Sequence, residues 1–188
     1  MRKLVFAAAV AAIIATAAPA AQAQPSPDRA AAMARLGFMR GVWAGPAKGV
    51  DQHGPYAVHQ TERMGPMLGG AVIVVEGRGY RDDGTTGFNA FAVISWDPRS
   101  GKYEMRSYAQ GFAGTFEIKP TGDGYVWEIP AGPMTLRYTA TVKDNHWREV
   151  GERIMPGQPP VQIFEMNLTK VGDTDWPLGK PVPATAGR

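Results

Sequence analysis

The sequence predicts an all-β protein, a single antiparallel up-and-down β-barrel of eight to ten strands. Short strand-like runs follow one another from residue 41 to residue 170, and each ends at a cluster of Gly, Pro, Asp or Asn. No segment of helical length and periodicity interrupts them. Because the connections are too short for crossovers between parallel strands, consecutive strands should pair antiparallel and the meander should close on itself.

Ten segments have the composition of strands. They are Met39 to Trp43, Tyr56 to Arg63, Ala71 to Tyr80, Phe88 to Asp97, Lys102 to Tyr108, Gly111 to Lys119, Gly124 to Ile129, Met134 to Val142, His146 to Ile154, and Val161 to Lys170. The turns between them carry Asp and Asn, which support local hydrogen bonds, and Gly, which supplies positive φ. Arg81-Asp82-Asp83-Gly84 and Lys143-Asp144-Asn145 are examples.

Alternation along the strands indicates which faces turn inward. In the segment from Met134 to Val142 the even positions are apolar and the odd positions are polar or charged. The polar outer faces and the Pro-rich end of the chain argue against an outer-membrane barrel. The last two strands carry charge on both faces. Because they are consecutive, they should pair and bring Glu149, Arg153 and Glu165 into one neighbourhood.

The first 23 residues have the pattern of a secretory signal peptide. Arg2 and Lys3 form the positive region, residues 4–18 the apolar region, and Ala21-Gln22-Ala23 the cleavage site. The apolar run is shorter than the roughly 18 residues that cross a bilayer. The chain has no Cys, which excludes disulfides and a lipid-modified cysteine. We therefore expect an exported protein, periplasmic or secreted, without stable membrane insertion.

Four regions are predicted along the chain. Residues 1–23 are the signal peptide, 24–35 a linker or capping segment with a helix near Arg29 to Leu36, 36–171 the barrel, and 172–188 a Pro-rich tail in which Trp176 either docks back on the barrel or stays free. The net charge of +3 loses Arg2 and Lys3 with the signal, and the remaining charges are mixed. This pattern does not favour nucleic-acid binding and sets no oligomeric state.

Several short patterns resemble known barrel families. Gly41-Val42-Trp43 resembles the Gly-x-Trp signature of lipocalins, and with Gly45 it resembles the start of nitrobindin-like haem barrels. Glu76-Gly77, the segment from Trp147 to Glu152, and Phe164-Glu165-Met166 are similar to signatures of an exported bacterial calycin-like family recorded as a domain of unknown function. The resemblance implies a calycin-like barrel over residues 36–171. A nitrobindin-like barrel ligates haem through a His near its C-terminus, and no His follows His146, so no cofactor is predicted.

The usual motifs of catalysis and metal binding are missing from the sequence. The three histidines, His53, His59 and His146, have no metal-ligand spacing and are typical of surface or turn positions. Gly77-Arg78-Gly79 is not a strand-to-helix junction, so it predicts a bend rather than a phosphate loop. No Ser lies in a nucleophile elbow. We therefore expect no metal and no serine-hydrolase chemistry, and we assign no catalytic residue.

Two groups of side chains are candidates for a ligand site. Glu149, Arg153 and Glu165, with Glu76 and Arg106 as possible neighbours, offer acid, base and anion-binding groups, or else form a structural ion-pair network. The aromatic residues Trp43, Trp127 and Trp147 are either core residues or walls of a cavity. The sequence favours a non-catalytic protein that binds a small, partly apolar or amphipathic molecule. An acid/base enzyme, such as an isomerase or hydrolase, and a filled barrel with a structural role in the envelope are the alternatives.

Overall fold

The computed structural model describes residues 27–176, and these form a closed barrel of ten antiparallel strands. The strands are β1 (Gly41–Asp51), β2 (Gly54–Met67), β3 (Val72–Tyr80), β4 (Thr86–Asp97), β5 (Lys102–Ala109), β6 (Phe112–Thr121), β7 (Gly124–Ala131), β8 (Met134–Lys143), β9 (His146–Ile154) and β10 (Val161–Gly172). Each strand pairs with the next along the chain, and β10 pairs with β1 to close the ring. The predicted fold class is confirmed.

The turn between β8 and β9 has the backbone conformation that its residues predict. The hairpin between β8 and β9 has a two-residue loop, Asp144-Asn145, and both residues have positive φ, of 52° and 61°. This backbone matches the twist of the flanking strands, and Asn and Asp tolerate it better than most residues. The register that follows places the even residues of β8 inward, as the alternation predicts, with Ala140 and Val142 buried.

One end of the barrel is closed by the segment that precedes β1. Helix α1 (Pro27–Ala34) begins with Pro and Asp, which suit a first turn, and continues with an Ala-rich run. A single 3-10 turn follows at Gly37–Met39. Met33, Leu36 and Met39 are fully buried there. The expected capping helix is therefore present, although the predicted signal peptide, residues 1–23, lies outside the described residues.

The hydrophobic core fills this closed end. Its inward side chains include Trp43, Ile73, Ile94, Ile118 and Leu168, which come from β1, β3, β4, β6 and β10. The Trp43 indole N–H donates to the Met39 carbonyl at 3.0 Å. The Tyr103 hydroxyl donates to the Ala32 carbonyl at 2.7 Å and so ties α1 to the barrel. No helix among residues 27–176 is long and apolar enough to cross a membrane.

The end of the described chain packs on the outside of β2. The Arg63 guanidinium lies 6.0 Å from the centre of the Trp176 ring, and its Nε lies 3.5 Å from an Asp175 carboxylate oxygen. A Cβ at Gly65 would come within 2.4 Å of Trp176 and of Thr174, so this glycine makes room for the tail. Trp176 therefore docks back on the barrel, while residues 177–188 lie outside the described part.

The wall of the barrel is incomplete between β6 and β7. The two strands pair only from Ile118↔Trp127 to Thr121↔Gly124, next to their turn. One pair further would set Glu117 opposite Glu128, and like charges in that position are unfavourable. Pro130, further along β7, has no N–H to donate to a ladder. We call this gap, between residues 112–117 and 128–131, the seam.

Candidate ligand-binding cavity

The open half of the barrel encloses a cavity of about 280 Å³. Inward side chains from β2 through β10 line it, and the 3-10 turn contributes Met39 at the closed end. The mouth lies at the end of the barrel opposite α1, where the β1–β2, β3–β4 and β5–β6 turns lie. The mouth of a β-barrel is a usual place for a small ligand.

The cavity exists because the inward residues change in size from one side of the lumen to the other. On β3, β4 and β5 five of them are small: Gly77, Ala90, Ala92, Ser107 and Ala109. The facing strands carry large aromatic rings: Trp127 on β7 stacks on Tyr138 of β8, with ring centres 4.4 Å apart and planes within 14°. The aromatic side does not extend far enough to fill the space that the small side leaves.

Glu149 is one of two buried carboxyl groups that face this space. It is 7% exposed. The Tyr125 hydroxyl donates to its Oε2 and the Trp127 indole N–H to its Oε1, both at 3.1 Å. Burial raises the pKa of Glu149, and these two donors partly offset the rise. The Trp147 indole also lowers this pKa, although its N–H makes no hydrogen bond of ordinary distance and angle.

Glu62 of β2 is the second buried carboxyl group, and it is 8% exposed. Gln60 donates its side-chain N–H to Oε1 at 2.7 Å, and Oε2 has no donor among the described residues. Burial raises the pKa of Glu62 to about 8, the Gln60 bond opposes the rise, and the charges of Glu149 and Glu76 add to it. At neutral pH this carboxyl group is therefore mostly protonated.

Gly77 has no side chain, and this leaves room for the carboxyl group of Glu62. The two residues are opposite each other in the β2–β3 ladder. A Cβ at Gly77 would lie 2.7 Å from one carboxyl oxygen of Glu62 and 2.9 Å from the other. Any larger residue at this position would therefore have to displace the carboxyl group from the wall.

No Lys, Arg or His lines the cavity within the part of the chain that the structure describes. Its polar side chains are two carboxyl groups, Gln60, Ser107 and the hydroxyl and indole groups of the aromatic residues. The site therefore combines aromatic surface with acidic groups, and no cation of the protein balances them.

Three of the eight predicted site residues line the cavity: Trp127, Trp147 and Glu149. Trp43 lies beneath it in the packed core, where its ring meets that of Trp147 edge to face at 5.8 Å. Two of the three predicted tryptophans thus line the cavity, and the third is a core residue.

The expected neighbourhood of Glu149, Arg153 and Glu165 does not form. Phe164 and Met166 take the inward positions of β10, so Glu165 points outward and accepts hydrogen bonds from Arg148, the shorter at 2.9 Å. Arg153 is exposed near the mouth and makes no ion pair with a described residue.

The two further members of that group also lie on the outside. Glu76 pairs with Arg78 at 2.7 Å. Arg106 donates to the Thr115 hydroxyl at 3.0 Å and lies over the Tyr108 ring. The prediction that these two residues are neighbours of Glu149 in one site is therefore wrong in its geometry.

The sequence alone does not single out Glu62 and Gln60 as site residues. Polar side chains on both faces of β2, such as Gln60 and Glu62 on one and Thr61 and Arg63 on the other, hide which face turns inward. The signal that was present is the glycine across the ladder. A glycine opposite a carboxylate on an inward face leaves space for that group.

Comparison with known proteins supports the fold. No protein-family model matches the chain, and no curated protein is similar to it. Sixteen chains among solved structures match, and one is the crystal structure of Rv2717c from M. tuberculosis. The two chains are 15% identical with a TM-score of 0.56, and the match covers 74% of this chain and 96% of that one. At this identity the similarity shows a shared barrel fold alone.

A haem group, which the resemblance to nitrobindin-like barrels would imply, does not fit the residues of the cavity. Those barrels hold the iron through a histidine, and the described lining contains none. His53, His59 and His146 are exposed on the outside of the barrel. We therefore derive no chemistry through haem.

Proposed function

We propose that this protein binds a small, mostly apolar molecule inside the barrel without converting it. The observation that carries the proposal is the cavity of about 280 Å³, which has an aromatic wall and only a few polar groups. Ligand sites are typically concave and apolar, with a small number of polar groups that fix orientation. Apolar ligand surface removed from water contributes roughly 25 cal/mol per Å² to binding.

We further propose that the protein acts outside the cytoplasm and belongs with the exported calycin-like barrels that its sequence resembles. The signal-peptide pattern of residues 1–23 supports export, and the barrel fold supports the relationship. A filled barrel with a structural role is the less favoured alternative, since the open half of the lumen contains a cavity.

A matched pair of serine variants tests the binding proposal. Ser107→Phe adds a ring to the cavity wall, whereas Ser95→Phe adds the same ring on the outer face of β4. N-phenyl-1-naphthylamine, a neutral apolar dye, should become fluorescent with the wild type and with Ser95→Phe. Ser107→Phe should abolish the signal or weaken dye binding at least tenfold. Equal binding by all three proteins would refute the cavity as the site.

Native mass spectrometry of the same three proteins, purified from the periplasm, extends the test to natural ligands. A molecule that stays bound to the wild type and to Ser95→Phe should be absent from Ser107→Phe. Retention of the same mass by Ser107→Phe would contradict the proposed site.

An acid/base enzyme is the second candidate, and one observation favours it. Glu62 and Glu149 face one cavity in different surroundings, since Glu149 accepts two hydrogen bonds and Glu62 accepts one. Two carboxyl groups held in different surroundings can divide the roles of acid and base. If this candidate is right, the bound molecule should change mass or isomeric form in the presence of the wild type and not of Glu149→Gln.

A further inference from the structure

We propose that the cavity selects organic cations, that is, mostly apolar molecules that carry one protonated amine. The proposal rests on the proposed binding function and adds the chemical class of the ligand. Three observations support the proposal: two buried carboxyl groups, an aromatic wall, and the lack of any basic side chain in the described lining.

The charge balance of the lining disfavours anions. The basic side chains near these strands lie outside the lining: Lys48 and Arg148 pair with Glu165 on the outer surface, and Arg153 is exposed near the mouth. A ligand carboxylate would therefore enter a low-dielectric space that holds Glu62 and Glu149 and no cation. A ligand ammonium would be favoured in the same space, because its positive charge offsets the negative charge of an ionised carboxyl group.

The hydrogen bonds of the two carboxyl groups leave a place for a donor. Glu62 Oε2 has no donor among the described residues, although the side chain is more than nine-tenths buried and lines the cavity. Glu149 already has two donors, because Tyr125 and Trp127 each donate to one of its oxygens. An ammonium group brings three donors and no acceptor, so it supplies what Glu62 lacks.

The aromatic wall suits the same ligand. Trp127 and Tyr138 are stacked, and the Phe164 ring meets Tyr138 edge to face at 6.0 Å. Aromatic faces attract cations, most strongly where water is excluded, and they also pack against an apolar body. The amine would lie towards the carboxyl groups and the apolar part along these rings.

Cation binding should release a proton. The titratable groups that act on Glu62 are Glu149 and Tyr125 inside the barrel and Glu76 on the outer face of β3. Because the pKa of Glu62 is raised to about 8, this group holds a proton at neutral pH, and an incoming ammonium would replace it. Primary amines stay protonated well above this range, as Lys does. Affinity for an amine should therefore rise as the pH increases from about 6 to about 8.

Three probes of one shape test the proposal by calorimetry on the mature protein. They are 2-phenylethylamine, 2-phenylethanol and phenylacetate, which carry a cation, a neutral hydroxyl group and an anion. The amine should bind at least tenfold more tightly than the alcohol, and phenylacetate should be weakest. The amine's binding heat should differ between phosphate and MOPS buffers because a proton is released.

Charge variants link the preference to the two carboxyl groups. Glu62→Gln and Glu149→Gln should each reduce the advantage of the amine over the alcohol at least tenfold. The matched control Glu165→Gln removes a carboxylate from the outer face and should leave the advantage unchanged. Circular dichroism checks that each variant is folded, and the probe series on the wild type needs no variant.

The outcomes separate this inference from the binding function on which it rests. If the alcohol or phenylacetate binds as tightly as the amine, the cavity binds ligands but the preference for cations is wrong. If no probe binds and the neutral dye is also rejected, the binding function itself fails. If only the dye binds, the inference about amines is overturned and the cavity remains a site for neutral molecules.

Discussion

The two ends of this barrel differ in what fills them. At the closed end, α1 and the inward residues of the strands form a packed core, and at the open end the same strands surround a cavity. β3 shows the change within one strand, because Ile73 is fully buried near the closed end while Gly77 lines the open half. Position along the barrel axis, rather than strand identity, therefore separates residues that stabilise the fold from those that can hold a ligand.

Glu62 lies at the boundary between these two halves, next to Met64 of the core. A fully packed end would have an apolar side chain here, because burial of a carboxyl group without a cation is unfavourable. The buried carboxyl group of Glu62 therefore lowers the stability of the barrel, and the same group faces the cavity. The two ends should therefore respond differently to pH and to truncation of their side chains.

The largest effect should come from pH acting on Glu62. Burial raises its pKa from 4.5 to about 8, so the folded protein holds a proton that the unfolded chain releases in this interval. The stability contribution of this group is thus fully present below about pH 4.5 and is lost as the pH rises towards 8. This pKa shift corresponds to about 4 to 5 kcal/mol. Glu62→Gln should match the wild type near pH 5 and exceed it in stability near pH 9, as measured by urea unfolding.

Glu165→Gln is the control for that experiment. The pKa of Glu165 is lowered, chiefly by hydrogen bonds from Arg148, so its contribution should be lost as the pH falls rather than as it rises. A stability profile of Glu62→Gln that parallels the wild type from pH 5 to pH 9 would show that Glu62 is not buried as a protonated group.

A smaller difference is expected from truncating one isoleucine at each end. Ile73 is fully buried at the closed end, whereas Ile129 is partly buried and lines the cavity. Ile73→Ala should cost about 2 to 5 kcal/mol, because it leaves a void in a packed core. Ile129→Ala enlarges a space that already exists and should cost about 1 kcal/mol. Equal costs in denaturant unfolding would mean that the two ends are packed alike.

The smallest effect concerns the seam. Backbone amides of residues 112–117 that face β7 should exchange with deuterium much faster than those of residues 118–121, which lie in the paired part of the ladder. The double variant Glu128→Gln with Pro130→Val removes the like charge and restores an N–H. It should slow this exchange and change global stability by less than about 1 kcal/mol. Slow exchange along all of β6 in the wild type would contradict an open seam.

Much of the fold can be predicted from the sequence because alternation and turns are local signals. β9 has the predicted bounds, and the alternation of β8 gives its inward face correctly. The sequence predicts a first strand that ends at Trp43, because Gly45-Pro46 resembles a turn. In the structure, β1 continues to Asp51. Gly45 instead allows a close approach between strands, since a Cβ there would lie 2.2 Å from the Asn167 carbonyl oxygen.

The site is harder to predict because it depends on register. Trp127 is recognisable because it lies on the apolar face of an alternating strand, and Glu149 because Trp147 and Gly151 are its nearest neighbours on the same face. Glu165 was assigned to the same site because β9 and β10 are neighbours, but a shift of one residue along a strand moves a side chain to the other face. Glu62 becomes a candidate only when the ladder shows that it faces Gly77.

The order of the strands has a consequence for the kinetics of folding. Every neighbouring pair is consecutive in the chain except β1 and β10, which join residues 42–49 to residues 164–172. The meander can therefore grow by successive hairpins, each closing a short loop at small entropic cost. Only the final closure brings together distant parts of the chain, and non-local contacts of this kind slow folding. Until that closure, β1 and β10 expose unpaired edges, so the step that completes the barrel also ends the period in which the chain is most prone to aggregate.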